Sequence, residues 1–480
     1  MELMHLMKDI QIQANSLPII EVKNIHFHSK SITKGDLFIA ISGSNQDGHQ
    51  YIQEAITRGA AVIIGENDSL PLPVPYIRVK DARETLGKMA TIYYGNPSRS
   101  HKMIGITGTN GKTTTAYMIH HILRFAGHTC SLIGTLGSLI NGETYETKST
   151  TPDAITLQKL LCASNDHCVV MEVSSHGIHQ KRIEGTKYDY ALFTNLSHEH
   201  LDYHSNLDEY FKIKSSLFEK LKTNGEAIVN SSCPWGERLI EKLRTKNIPL
   251  FTFGHQSDDD LQLLSSKGKA QQIMTLKEQE KLYTIKLPLP GAYNVSNAMA
   301  SILLARRMGI EFDVIKEGFE GFKGTPGRLE IYKHQSNIDF IIDYAHTPDG
   351  LEQCLKAIHE LGYRRIIHIF GFRGKRDVLK RKQMIDISDC YSEQVILTLD
   401  DLNGVSIEEM IGELDLLSSQ CLEGKAIIHA DRTEAILYAW ENALPGDCLV
   451  ITGKGPETYQ QSFSLPTRTD QETIHYILND

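Results

Sequence analysis

Residues 105–115 read GITGTNGKTTT, with glycines at every third position leading into Lys112 and Thr113. The spacing departs from G-x-x-x-x-G-K-[ST], which needs a glycine where Ile106 stands. The residue types nevertheless suit phosphate. Glycines let the backbone approach an anion closely, and a turn entering a helix offers unpaired N–H groups. Lys112 adds a point charge, and the Thr113 hydroxyl can ligate Mg²⁺. A carboxylate, Glu172, ends the apolar run CVVMEV. One strand away from such a loop it would hold a nucleotide's magnesium; otherwise it is a solvated strand-end glutamate. The stretch TNLSHEHLDYH at 194–204 packs three histidines and two acids without the spacing of a closed zinc site. It offers one histidine to Mg²⁺, or it is a solvated loop.

The sequence NLDEYFKIKSSLFEKL, 206–221, predicts a helix capped by Asn206, with Asp208 and Glu209 in its first turn. Leu207, Tyr210, Phe211, Leu217, Phe218 and Leu221 form one apolar stripe, and Lys214 interrupts it. Two readings stand. Lys214 snorkels its ammonium to water, or burial lowers its pKa and leaves a neutral amine able to add CO₂. The resulting carbamate would be an anion able to bind metal.

The elements that must position these groups alternate. MIGIT reads as a strand entering the glycine loop, and 113–126 as a helix carrying Ala116, Ile119, Ile122, Leu123 and Ala126 on one face. CVVMEV and YALFTNL suit a parallel sheet covered on both faces. FIIDYAH, RIIHIFGF, QVILTLDD, KAIIHAD and CLVITGKG repeat the style, each with polar or glycine residues at its C-terminal end, the edge where open α/β sheets bind ligands. Turn-rich GNPSRS (95–100) and GFKGTPGR (321–328) divide the chain into 1–98, 99–327 and 328–480.

With 480 residues and 41% hydrophobic content the chain can bury several cores. A net charge of −9 argues against nucleic acid or a membrane surface as general partner. The eight cysteines include no C-x-x-C pair, as expected of reduced thiols in the cytoplasm. No apolar run approaches the ~20 residues of a membrane span, and the N-terminus lacks the pattern of a signal peptide.

GTNGKTTT, STTPDA, MEVSSHG, FTNLSHEHLDYH, GAYNVSNAMAS, GRLE and DYAHTPDGLE, in that order, make the chain resemble the Mur ligases of peptidoglycan synthesis. Within them it resembles the MurE type, which adds the third amino acid to UDP-MurNAc-L-Ala-D-Glu. The resemblance spans nearly the whole chain. It implies an α/β protein of three domains: an N-terminal UDP-binding domain, a central P-loop ATPase with a parallel sheet, and a C-terminal Rossmann-like domain for the amino acid. It implies an ATP-dependent amide ligase working through an acyl phosphate, as a cytoplasmic monomer.

Carried over residue by residue, it assigns ATP to Gly108, Thr109, Asn110, Gly111, Lys112, Thr113 and Thr114, with Asn297 at adenine and Arg328 and Asp343 at phosphates and ribose. It assigns two Mg²⁺ ions to Thr113, Glu172, His200 and a CO₂-carboxylated Lys214, with Lys112, Lys214 and His200 catalytic. Ser29, Thr150, Thr151, Ser174, Gln180 and Arg182 match positions for the sugar-peptide substrate. Arg381, Asp400, Asp401, Asn403, Gly453 and Glu457 match positions for the incoming amino acid.

The amino-acid positions depart from the pattern. Members that add meso-diaminopimelate carry D-N-P-R, whose arginine grips the distal carboxylate; here DDLN (400–403) offers a neutral amide beside an extra acid. An acid there would suit a terminal ammonium, as in L-lysine or another diamino acid, with meso-diaminopimelate still open. GKGPE stands for GKGHE, GFRGKRD for the usual GGDRD region, and Ser29-Lys30 for a Ser-Arg pair. The alternatives are a paralogue with the same ATP chemistry on another acceptor, or a nucleotide-binding regulator without turnover.

Overall fold

The computed structural model describes residues 1–8, 10–11, 17–43, 46–68, 71–147, 149–200, 203–375, 378–422 and 424–479. Leu201 and Asp202 of the histidine-rich stretch, and Arg376 and Asp377, lie outside the described residues. The chain is α/β throughout. It divides into two compact units, one of 1–107, 128–191 and 213–227, the other of 108–127, 192–212 and 228–480. The strands Tyr188–Phe193 and Leu221–Asn230 begin in the first unit and end in the second.

The first unit contains a four-stranded parallel sheet between Ile25 and Arg78. Its core includes Leu37, Ile39, Val62 and Ile64, with Leu86 and Met89 from the helix Ala82–Tyr93. Also in this unit, Lys102–Thr107, Cys168–Glu172 and Cys130–Gly134 pair in parallel. Antiparallel strands Gly137–Ile140 and Glu143–Tyr145 extend that sheet, an addition to the all-parallel expectation. Every residue of Cys168–Glu172 is buried, as the unbroken apolar run requires.

In the second unit, Leu261–Lys267, Gln272–Glu278 and Lys281–Leu287 form an antiparallel meander. A six-stranded sheet follows, in the order Glu330–Lys333, Asp339–Asp343, Asp447–Thr452, Arg365–Phe372, Gln394–Leu399, Ala426–Ile428. All its pairings are parallel except the first. Alternation sorts its side chains: Ile341, Val395, Leu397 and Val450 enter one core, Phe340, Ile342, Ile396 and Leu449 the other. The C-terminal strand ends therefore carry Asp343, Phe372 and Thr452 to one edge, where the loops with Arg373, Asp400 and Gly453 begin. Among the described residues no helix is long and apolar enough to cross a membrane.

Gly105 lies in the strand Lys102–Thr107, within the MIGIT run read as a strand; a Cβ there would lie 2.8 Å from the Tyr188 ring, so close packing demands glycine. One local expectation changes. The helix predicted over 206–221 stops at Ser215, and Ser216–Lys220 is a 3₁₀ turn. The stripe survives the break, because Tyr210, Phe211, Leu217 and Phe218 are all buried.

Candidate functional site

The loop proper is 108–111, in the second unit. Gly108 and Gly111 have φ of +151° and +84°, and Gly111 caps the helix Lys112–Phe125. Neither tolerates a side chain: a Cβ would stand 2.0 Å from Thr194 Oγ1 at Gly108 and 2.2 Å from Asn297 Oδ1 at Gly111. The loop is held from outside as well. Thr194 donates to the Asn110 carbonyl at 2.7 Å, and Asn110 N–H donates to Asn195 Oδ1 at 2.9 Å. The Asn110 amide donates to Asp349 at 2.7 Å, so this side chain anchors the loop. Lys112 folds back, donating to the carbonyls of Gly108 (2.9 Å) and Thr109 (2.7 Å), which keeps its charge over the loop.

A cavity of about 480 Å³ opens beside the loop, lined by Asn110, Gly111, Thr114, Tyr293, Asn297, Arg328 and Asp343. Arg328 donates to Thr113 Oγ1 at 3.3 Å and lies 4.3 Å from the Tyr344 ring centre, while its Nε has no partner among the described residues. Asp343 accepts backbone N–H bonds from Leu329 and Ala345, each at 2.7 Å. Burial still raises its carboxyl above the ordinary range, against Arg328 and those two donors. Tyr293 brings a buried hydroxyl with no hydrogen bond among the described residues. The sequence reading missed it, since a tyrosine in a helical stripe looks like core.

Next to it lies a second, narrower cavity of about 150 Å³, lined by His198, Glu199, His200, His346, Arg373, Lys380, Arg381 and Asp400. His200 is one of the few non-glycine residues at positive φ (+57°). Glu199 lies 3.6 Å from His200 Nε2 and 3.3 Å from His346 Nε2. Burial pushes its carboxyl up, but His200, His346 and Lys112 outweigh this and hold it well below the usual range. Glu199 and His346 were not singled out from sequence.

The amino-acid positions differ from expectation in their pairing. Asp401 accepts from Lys454 at 2.6 Å, and Asp400 lies 3.4 Å from the same Nζ; Lys454 is 1% exposed. Burial opposes the Asp400 charge, yet Lys454, Arg432 and Arg373 hold its carboxyl below the ordinary range. The extra acid is thus already matched by a lysine of this chain, which removes the argument that it waits for a substrate ammonium. Arg373 is bonded to Glu457, which also accepts from Tyr344 at 2.7 Å. Arg381 pairs with Glu413. Asn403, at φ +50°, donates to the Gly374 carbonyl at 3.1 Å and lines neither cavity. Gly453 has φ +105°, and a Cβ there would approach Asp400 to 3.3 Å.

In the first unit, Ser29, Gln180 and Arg182 line a cavity of about 680 Å³ with Phe27, Tyr51 and Arg83. Arg182 donates to the Thr151 carbonyl (2.7 Å), Ser149 (2.9 Å) and Gln180 (2.8 Å), which fixes its guanidinium. Thr151 and Ser174 hydroxyls lie 3.1 Å apart, and Ser174 caps the short helix Ser175–His179. Thr150 sits 3.1 Å from Thr135, whose N–H (2.9 Å) and hydroxyl (3.1 Å) both donate to Glu172. Glu172 is 1% exposed, which excludes the solvated reading. Lys214 is also 1% exposed, so its amine does not snorkel to water.

A glycine loop at a helix start, beside a cavity offering an amide, an arginine and a carboxylate, defines a P-loop nucleotide-binding protein. Three family models match: Mur ligase family, catalytic domain, at 21–94; Mur ligase middle domain at 106–305; and Mur ligase, glutamate ligase domain, at 327–455. The UDP-N-acetylmuramoyl-L-alanyl-D-glutamate–2,6-diaminopimelate ligase of Clostridium tetani is 37% identical over 455 residues, 92% of this chain and 91% of that one. Its namesake in Bacillus licheniformis is 36% identical with the same coverage. A solved structure of a ligase of that name superposes with TM-score 0.70 at 26% identity, over 100% of this chain and 99% of the other. The MurF ligase of Thermotoga maritima in complex with ADP shares the fold, with TM-score 0.62 at 19% identity, over 90% and 94% of the two chains. The chain belongs to the Mur ligase family.

Proposed function

We propose that this ligase joins the third amino acid to UDP-MurNAc-L-Ala-D-Glu at the expense of ATP, in peptidoglycan precursor synthesis. The observation that carries the reading is near-full-length similarity to ligases of that name, together with an intact phosphate loop. Amide formation between free ions in water is unfavourable, so a D-Glu side carboxylate oxygen attacks the γ-phosphorus of ATP, the β–γ phosphoanhydride bond breaks, ADP leaves and an acyl phosphate forms. The amino acid's amine then attacks, and inorganic phosphate leaves.

The residues divide the work. Backbone N–H groups of 108–114 and the Lys112 ammonium hold phosphate oxygens, and Arg328 adds a second cation. Asn297 and Asp343 fix the base and ribose. Ser29, Gln180 and Arg182 bind the sugar-peptide in the first unit's cavity, with Thr150, Thr151 and Ser174 behind them. Arg381, Asp400, Gly453 and Glu457 hold the amino acid, and Arg373 joins that set in this reading, since it lines the same cavity as Arg381 and Asp400 and pairs with Glu457.

The hydroxyl of Thr113 and the buried carboxylate of Glu172 fit magnesium, a hard cation that takes oxygen ligands. The candidate ligands are Thr113, Glu172, His200 and Lys214. A buried ammonium is the wrong partner for a cation, and carboxylation of Lys214 would turn it into an anion. The ions would supply charge neutralisation where two anions meet.

The incoming residue is a diamino acid. Asn403 in place of arginine favours L-lysine over meso-diaminopimelate, although Asp401 no longer speaks for lysine. Phosphate release is measured with ATP, Mg²⁺ and UDP-MurNAc-L-Ala-D-Glu, adding L-lysine, L-ornithine or meso-diaminopimelate singly. Turnover with one amine identifies the reaction. Silence with all three, in protein that still binds ATP, points to a different acceptor.

A further inference from the structure

At the opposite end of the strand that finishes at Glu172 stands a group of side chains that the ligase chemistry leaves unused. Cys168 opens this strand and His167 precedes it, while His128 precedes the neighbouring strand Cys130–Gly134. One nitrogen from each imidazole and the Cys168 sulfur all lie within 4.8 Å of one another. Four residues at ~3.3 Å each separate this end from Glu172 by roughly 13 Å, so the cluster is not part of the candidate magnesium set.

The backbone beneath the cluster is fixed. Cys168 N–H donates to the Thr129 carbonyl at 3.0 Å, and His167 N–H to the Thr129 hydroxyl at 2.8 Å. The His167 carbonyl accepts from Lys102 at 2.8 Å, and Cys130 pairs with Cys168 in the parallel register. The side chains are uncommitted. Among the described residues no hydrogen bond reaches either imidazole, and the two rings stack loosely, 5.8 Å apart at 20°. The sulfur is buried under them, with His128 half-buried and His167 exposed.

Two imidazoles and a thiol are the donor types of a borderline-soft transition metal and unlike the oxygen donors magnesium takes. We propose that His128, His167 and Cys168 form a binding site for a transition-metal ion of the zinc class, with a water or an outside ligand in the fourth position. The ion replaces the thiol proton, which leaves to solvent, and forms one metal–sulfur and two metal–nitrogen bonds. Bound metal would tie the turn before Cys130–Gly134 to the start of Cys168–Glu172 and stabilise this sheet. The site would also take zinc without competing for magnesium's ligands.

The test is Co²⁺ titration of the full-length protein after chelator treatment, read by absorbance and by thermal unfolding. One equivalent with a thiolate-to-cobalt charge-transfer band, displaced by Zn²⁺, is expected; cobalt in oxygen-donor magnesium sites gives no such band. His167→Ala removes an exposed ring without hydrogen bonds, and at least a tenfold loss of affinity is expected with phosphate release unchanged. Cys168→Ser should abolish the band. If that buried variant fails to fold, His128→Ala with His167→Ala carries the same test. Absence of the band, or cobalt affinity indifferent to both histidines, overturns the site.

Discussion

Gly111→Ala isolates what the phosphate loop demands of its backbone. At φ +84° an alanine costs about 1–2 kcal/mol before it touches anything. Its Cβ would also stand 2.2 Å from Asn297 Oδ1, far inside the ~3.5 Å at which non-bonded atoms settle. Asn297 must then move, giving up its contacts with Thr115 at 3.4 Å and Asn294 at 3.3 Å. Two such long hydrogen bonds are together worth about 1–3 kcal/mol. The whole cost is about 2–5 kcal/mol, and at roughly 1 °C per kcal/mol for a chain of 480 residues the unfolding temperature drops by about 2–5 °C. Removing the amide first changes the outcome. In an Asn297→Ala background the clash is gone, and Gly111→Ala should cost only the ~1–2 kcal/mol of left-handed backbone. Calorimetry of the four proteins measures this coupling, with KM for ATP as the functional readout. If the two substitutions add within about 0.5 kcal/mol, the close approach of Gly111 to Asn297 is not what requires glycine.

Lys214→Ala should nearly abolish phosphate release, with no rescue by added bicarbonate; parental turnover would remove this amine from the chemistry. Asp447 is fully buried against Arg364 and Arg365; burial raises its carboxyl, but hydrogen bonds from Arg365, the Leu444 N–H and Arg364 outweigh this and lower it. A depressed carboxyl stabilises the fold above its unfolded value near ~3.9 and loses that contribution as pH falls through the lower folded value. Asp447→Asn should therefore be less stable at pH 7 and show a flatter acid limb below about pH 4; parallel curves would deny the ion pair its role. Asn403→Arg should raise kcat/KM for meso-diaminopimelate relative to L-lysine, and an unchanged ratio would show that position 403 is not the selector.

The phosphate loop, its helix and the strands were legible because their evidence is local: residue type, period and run length. Lys214 could be singled out for the same reason, as a polar member of an apolar stripe, but only packing decided that it is buried. The pairings were not legible. Asn110 meets Asp349 across 239 residues, and Tyr344 meets Glu457 across 113. No periodicity encodes such partners, which is why Asp401 read as an open acid until Lys454 was found against it. The reason for Gly105 was not legible either: MIGIT reads as a strand, but only packing shows that the ring of Tyr188 leaves no room for a side chain there.

The pairing of Arg373 with Glu457, Arg381 with Glu413 and Lys454 with Asp401 has a consequence for how a zwitterion is admitted. On the proposed assignment, a guest carboxylate that reached Arg373 or Arg381, the two of these cations that line the narrower cavity, would displace Glu457 or Glu413, and the site would work as an ion exchanger. Little net charge is gained or lost in that swap, and capture of the amino acid should be nearly indifferent to ionic strength. Selection between guests then falls to the fit of the side chain and the ease with which each resident acid gives way.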